Sequence, residues 1–142
     1  MDKSSILYQI GNTPLVKLIQ PSELTGCNIY GKAEYLNPGE SIKDRAALFI
    51  VKEAIKNKKI KEGGTVVEGT AGNTGIGLAI VCKEYKLKLK IVIPKTQSQE
   101  KKATLIKLGA DLIEVDAVPY SNPKNYIKQS KEIAEKLSKT EK

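Results

Sequence analysis

The sequence predicts an α/β fold, a small parallel sheet with helices on both faces. Three observations predict it. From about residue 41 onward, extended apolar stretches alternate with helical patterns. The connections between them are only a few residues long, so right-handed crossovers would bring successive strands into one parallel layer. A glycine-rich turn, Gly69-Thr70-Ala71-Gly72-Asn73-Thr74-Gly75, stands between a strand pattern and a helix pattern, and such turns lie at the carboxyl edge of the sheet, where ligands bind.

The elements follow in order. Residues 15–18 and 29–35 read as strands, the second placing Ile29, Gly31, Ala33 and Tyr35 on one face by period two. The composition shifts at Asn37-Pro38-Gly39, which divides the chain into residues 1–37 and 38–142. A helix is expected from Ser41, because Ser41 and Asp44 have capping-box spacing and Ala46, Phe49, Ile50 and Ala54 continue an apolar stripe; it should end near Lys58. Residues 65–68 then form a strand, and the glycine turn leads into a helix carrying Ile76, Leu78, Ala79, Ile80, Cys82 and Tyr85. The β-branched run 89–93, closed by Pro94, is a strand; Ser98 caps a helix that stops at Gly109, and residues 111–115 are the next strand. Asn122 as cap and Pro123 at the first helical position open a last helix with Tyr126, Ile127, Ser130, Ile133, Ala134 and Leu137 on one face, ahead of a lysine-rich tail.

Composition narrows the classes of function. At 142 residues, with 40% hydrophobic and 28% charged residues, the chain has the size and make-up of one globular domain or a piece of a larger protein. No apolar run approaches the ~20 residues of a membrane span, and no signal-peptide core opens the chain. The expectation is a soluble cytoplasmic protein with no membrane contact. The net charge is +8, yet Arg45 is the one arginine among 24 basic residues. Arginine is the side chain of choice for bidentate phosphate and guanine recognition, so no nucleic-acid partner is expected. Two cysteines, Cys27 and Cys82, with no histidine in the chain, leave no metal site and no Ser/His/Asp or Cys/His catalysis.

Two features carry chemistry. The turn 69–75 offers several unobstructed N–H groups ahead of a helix N-terminus, whose partial positive charge favours a phosphate or carboxylate. It fits neither the dinucleotide signature, since Ile80 stands where the third glycine is required, nor the Walker motif, since the lysine is absent. Anion binding and a purely structural tight turn both remain open on spacing, and Asn73 and Thr74 suit either a cap or a ligand contact. Lys43 lies in the first turn of its helix, where the macrodipole disfavours a cation. A helix start and partial burial both favour the neutral amine that attacks an aldehyde to form a Schiff base; extension into solvent is the bland alternative.

Asn37-Pro38-Gly39-Glu40-Ser41-Ile42-Lys43-Asp44-Arg45 resembles the lysine motif of the cysteine synthase and cystathionine β-synthase family, the fold-type II pyridoxal-phosphate enzymes. Gly11-Asn12-Thr13-Pro14-Leu15 resembles the family's opening strand, Thr70-Ala71-Gly72-Asn73-Thr74-Gly75 its substrate-carboxylate loop, and residues 94–102 its approach to the next helix. The resemblance implies pyridoxal 5'-phosphate as cofactor and no metal. It makes Lys43 the Schiff-base lysine, Asn73 the partner of the cofactor's 3′ oxygen, and Thr70, Ala71, Gly72, Asn73 and Thr74 the site of the amino acid's α-carboxylate. It implies β-replacement of cysteine synthase type, forming cysteine from an activated serine and sulfide.

Ala71 departs from the family's usual serine. Family chains also continue further, supplying a phosphate cup that has no counterpart after Leu137. The expectation is therefore a truncated form, with residues 1–37 the strand segment of a missing larger domain and residues 38–142 the small α/β domain. The alternative is a non-catalytic binding module. Either form is expected to pair as a homodimer or to associate with a full-length relative.

Overall fold

The computed structural model describes residues 3–140. Two sheets form. Strands β1 (Leu15–Lys17) and β2 (Tyr30–Lys32) pair antiparallel, Val16 opposite Gly31, with helix α1 (Ile19–Thr25) between them. Strands β3 (Thr65–Gly69), β4 (Lys88–Pro94) and β5 (Asp111–Val115) form a parallel sheet in the order β3-β4-β5. Helices α2 (Lys43–Lys56), α3 (Asn73–Glu84), α4 (Gln99–Lys107) and α5 (Tyr126–Thr140) complete the chain.

The parallel sheet is covered on both faces, as the alternating pattern predicts. Leu89, Ile91 and Ile93 of β4 point toward Leu78, Ala79 and Val81 of α3 and Leu105 of α4, forming the core, with Ala47, Leu48 and Val51 of α2 behind α3. At the next position of β4, Val92 is fully buried on the opposite face. Its register partner Gly69 lies directly beneath α5: a Cβ there would sit 2.8 Å from the Ile127 Cα and 2.6 Å from the Ser130 Oγ. Connections β3-α3-β4 and β4-α4-β5 put α3 and α4 on one face, which leaves the other for α5.

Several boundaries differ from the sequence expectation. Residues 29–35 are not one strand, because the chain leaves β2 after Lys32 and turns through a 3-10 segment, Glu34–Leu36, so Ala33 is buried while Tyr35 is 69% exposed. Helix α1 was not expected: it has seven residues and contains Pro21, which is tolerated in a first turn because its missing N–H would have no partner there. The capping box at the start of α2 does not form. Ser41 Oγ accepts from the Lys43 N–H at 3.0 Å, but Asp44 turns away to accept from the Gly39 N–H. The helix stops at Lys56, two residues before Lys58, which adopts φ 56°.

At the other end of the chain, Asn122 and Pro123 belong to a turn, the Lys124 N–H donating to Asn122 Oδ1 at 2.8 Å. The cap of α5 is Asn125, whose Oδ1 accepts from the Ile127 N–H at 3.1 Å. The apolar stripe of α5 is only half-buried, and Ile127 is 42% exposed. The lysine-rich tail continues α5 to Thr140, its last two residues lying outside the described residues. Ser98 and Gly109 behave as expected, Ser98 Oγ accepting from the Lys101 N–H and Gly109 in the left-handed region at φ 94°.

Candidate active site

The glycine turn sits where β3 ends and α3 begins. Thr70 is buried; its N–H donates to the Val92 carbonyl at 3.1 Å, and its Oγ1 accepts from the Gly72 N–H at 3.1 Å. A hydroxyl that accepts in this way keeps its hydrogen free to donate. The N-cap of α3 is Gly72, which provides no side-chain cap, and its carbonyl accepts from the Gly75 N–H at 3.3 Å. Among the described residues, no group caps the N–H groups of Asn73 and Thr74, and the first turn of α3 carries no acid. A helix start left in this state is suited to an external anion. Asn73 is exposed and Thr74 half-exposed, so both are open to a ligand.

Lys43 begins α2 and is exposed, not partly buried; its Nζ takes part in no ion pair among the described residues. The two helix starts meet. A Cβ on Gly77, one turn into α3, would lie 3.1 Å from the Asp44 Cα and 3.2 Å from the Ala47 Cβ. The absence of a side chain at Gly77 therefore lets the first turn of α2, which Lys43 begins, touch α3 about one turn beyond residues 70–74. Gly75 serves a similar purpose on the sheet side, since a Cβ there would meet Thr70 Cγ2 at 3.0 Å and Leu105 Cδ2 at 3.3 Å.

A polar lock holds the segment before Lys43. Asn37 Oδ1 accepts from the Gly11 N–H at 2.8 Å and its Nδ2 donates to the Ser41 carbonyl at 3.0 Å. Arg45 Nε and Nη2 each donate to a Glu34 carboxylate oxygen at 2.8 Å, and Nη2 also reaches the Gly11 carbonyl at 2.8 Å. Thr13 Oγ1 donates to Glu34 Oε1 at 2.8 Å, and Lys32 Nζ donates to Thr13. The Arg45 hydrogen bonds, with those from Asn37 and Thr13, hold the Glu34 carboxyl down to about 2 against its partial desolvation. Sequence reasoning gave Asn37 and Arg45 no role beyond the motif, and Glu34 none. The one signal available was the singular arginine in a lysine-rich chain, since only its planar fork bonds a carboxylate on two nitrogens while also reaching a carbonyl.

Asp44 is fully buried beneath this junction. Burial pushes its carboxyl up, the Gly39 N–H opposes that, and the nearby Glu34 charge reinforces it. Its Oδ1 has no hydrogen-bond partner and fills the space a Cβ would need at Gly39 and, at 3.1 Å, at Gly77. It packs the two helix starts together without itself reaching solvent.

The donor set is thus an exposed primary amine, uncapped main-chain N–H groups, an amide and two hydroxyls. It fits an aldehyde-bearing cofactor condensed with an amino group, beside an amino-acid carboxylate. Among the described residues no group of His, Cys, Asp and Glu could hold a metal, and no helix is long and apolar enough to cross a membrane.

Comparison with known proteins decides the family. The profile of the pyridoxal-phosphate dependent enzymes matches residues 6–142. The chain belongs to that family. It is 57% identical over 128 residues to cysteine synthase 1 of Neurospora crassa, covering 90% of this chain and 34% of the relative. Cysteine synthase 1 of Emericella nidulans is 56% identical over 128 residues, covering 90% and 35%. Among solved structures, O-ureido-L-serine synthase superposes with a TM-score of 0.85 at 36% identity, over 97% of this chain and 43% of that one. As a pyridoxal-phosphate family chain, it therefore spans about a third of the length of these curated relatives. The likeness to this solved enzyme covers 97% of this chain, so it takes in both sheets.

Proposed function

We propose that this chain carries the lysine and the carboxylate loop of a cysteine synthase-type enzyme, which replaces the β-substituent of an activated serine with sulfide to form cysteine. The observation that supports this most is the close packing of the first turn of α2, which Lys43 begins, against Gly77 of α3, together with the uncapped start of α3. Lys43 Nζ would hold pyridoxal 5'-phosphate and Asn73 would hydrogen-bond its 3′ oxygen. Residues Thr70, Ala71, Gly72, Asn73 and Thr74 would hold the substrate α-carboxylate.

When bound, the cofactor supplies an electron sink for the pair left on the substrate Cα. The chain's own residues do the rest. The N–H groups of Asn73 and Thr74 and the Thr70 hydroxyl bind the carboxylate at the positive end of α3, fixing the direction of the Cα–H bond. The Lys43 amine would be the base that takes the Cα proton and returns it. The polar lock of Asn37, Arg45 and Glu34 keeps the backbone carrying Lys43 in place while its side chain moves.

Residues 1–37 form the strand segment of a second, larger domain, and residues 38–142 the small domain. This division is supported by β1 and β2 forming their own sheet, with Leu15, Ile19, Leu24 and Tyr30 all more than half exposed. That surface would pair in a homodimer or against a full-length relative. The protein works in the cytoplasm, with no nucleic acid or membrane as partner.

Incubation with pyridoxal phosphate, reduction with borohydride and peptide mapping should label Lys43 alone, and the visible absorption band should vanish in Lys43→Ala. Label spread evenly over the lysines, or absent from Lys43, would refute the proposal. The exposed apolar surface favours one second reading, a non-catalytic module that keeps the carboxylate loop and docks a relative; it predicts carboxylate binding without the visible band.

A further inference from the structure

We propose that Gln97 is a positioning residue that holds the carboxylate loop in its binding conformation, bridging the turn after β4 to the turn after β3. Its Nε2 donates to the Ala71 carbonyl, its Oε1 accepts from the Ser98 N–H at 2.9 Å, and its own N–H donates to the Pro94 carbonyl at 3.0 Å. Both ends of the amide are therefore used, and their partners fix its orientation, because a flipped amide would set oxygen against oxygen. Beyond the bond from the Thr70 N–H to the Val92 carbonyl at the end of β3, Gln97 makes the one hydrogen bond that reaches Ala71 or Gly72 from another element, among the described residues.

The peptide joining Ala71 to Gly72 is held at both ends. Its carbonyl points to Gln97 and its N–H points to Thr70 Oγ1. That plane sets the path by which the chain enters α3, and hence where the free N–H groups of Asn73 and Thr74 point. Ala71 has no hydroxyl to hold the loop from within, and a Cβ on Gly72 would meet nothing within 4 Å, so the loop has little packing of its own. The Gln97 end of the bridge is firm. Lys102 is 3% exposed, and its Nζ donates to the Lys95 carbonyl at 2.9 Å and to Glu114 Oε2 at 2.7 Å, tying the turn before α4 to β5. A loop arranged before the ligand arrives loses less freedom on binding.

The inference rests on residues 70–74 being the amino-acid carboxylate site, and the test separates the two. Wild type, Gln97→Glu and Gln97→Met are compared by amide hydrogen exchange over 70–75, and by titrating the pyridoxal phosphate-loaded protein with L-serine while recording visible absorbance. Gln97→Glu keeps an acceptor for the Ser98 N–H and loses only the donor to Ala71; Gln97→Met loses both without adding charge. In both variants, exchange over 71–75 should rise several-fold while β4 is unchanged. The L-serine dissociation constant should rise about 3- to 10-fold, the range expected for one hydrogen bond, with cofactor affinity within about twofold.

Wild-type exchange and serine affinity in Gln97→Glu would overturn the inference. So would an effect in Gln97→Glu that is absent from Gln97→Met, which would be charge alone. If the wild-type protein gives no band, or a band that ignores serine, the carboxylate reading fails, and the exchange comparison still decides whether Gln97 holds the loop.

Discussion

Replacing Gly69 with alanine tests whether α5 rests on the end of β3 as described. The added Cβ would stand 2.6 Å from Ser130 Oγ and 2.8 Å from both the Ile127 Cα and the Tyr126 carbonyl oxygen. Two of these three are helix backbone and cannot rotate away, so α5 would have to retreat by about 0.6 Å to reach ordinary contact. Overpacking of this kind costs about 1–3 kcal/mol, from which the better strand preference of alanine returns about 0.5–1 kcal/mol. The difference spans about 0–2.5 kcal/mol, and its middle, about 1 kcal/mol, corresponds to a fall in Tm of roughly 3–5 °C for a chain of this size. Thermal unfolding followed by circular dichroism measures it, with Gly72→Ala as control, because a Cβ at Gly72 meets nothing within 4 Å and should leave Tm within about 1 °C. A Gly69→Ala protein as stable as the parent would refute the packing of α5 over β3.

Three further outcomes follow from the same geometry. Glu34, held down to about 2 by Arg45, stabilises the fold above the unfolded carboxylate value of 4.5, and that contribution is lost as pH falls toward 2. Arg45→Met should therefore unfold at a higher pH than wild type in an acid titration followed by fluorescence of the six tyrosines, and coincident curves would contradict the lock. Cys82 is buried and its thiol is pushed up to about 12 by desolvation, whereas Cys27 is exposed; iodoacetamide should modify one thiol in the native protein and two after denaturation, read by mass spectrometry. Lys102→Ala should cost about 1–3 kcal/mol in urea unfolding, because it strands the Lys95 carbonyl and Glu114 without their partner, and Lys102→Arg should recover part of it.

Much of the fold was legible in the chain because its parallel core is written in local patterns. The β-branched run 89–93, closed by Pro94, reads as a strand and lies within β4, and Ser98 and Gly109 mark both ends of α4 by chemistry that acts within a few residues. The misreadings share a cause. Ser41 and Asp44 have the spacing of a capping box, but Asp44 is drawn to the Gly39 N–H and buried against Gly77, a residue 33 positions away. Asn122-Pro123 is a sound helix start on local grounds, yet the Val118 carbonyl engages Asn125 Nδ2 and moves the start three residues on. Helix α1 was invisible because seven residues with a proline carry too little periodic signal.

By itself the sequence determined the alternating architecture, the glycine turn ahead of a helix and the lysine motif, since each depends on residues adjacent in the chain. Only the tertiary structure decided that Gly77 lets α2 meet α3 at their first turns, that Arg45 locks Glu34 to Gly11, and that Gln97 reaches Ala71 across 26 positions. Those facts depend on which side chains are absent at a contact and how far two backbones approach, and neither quantity is defined until the sheet and its helices have packed.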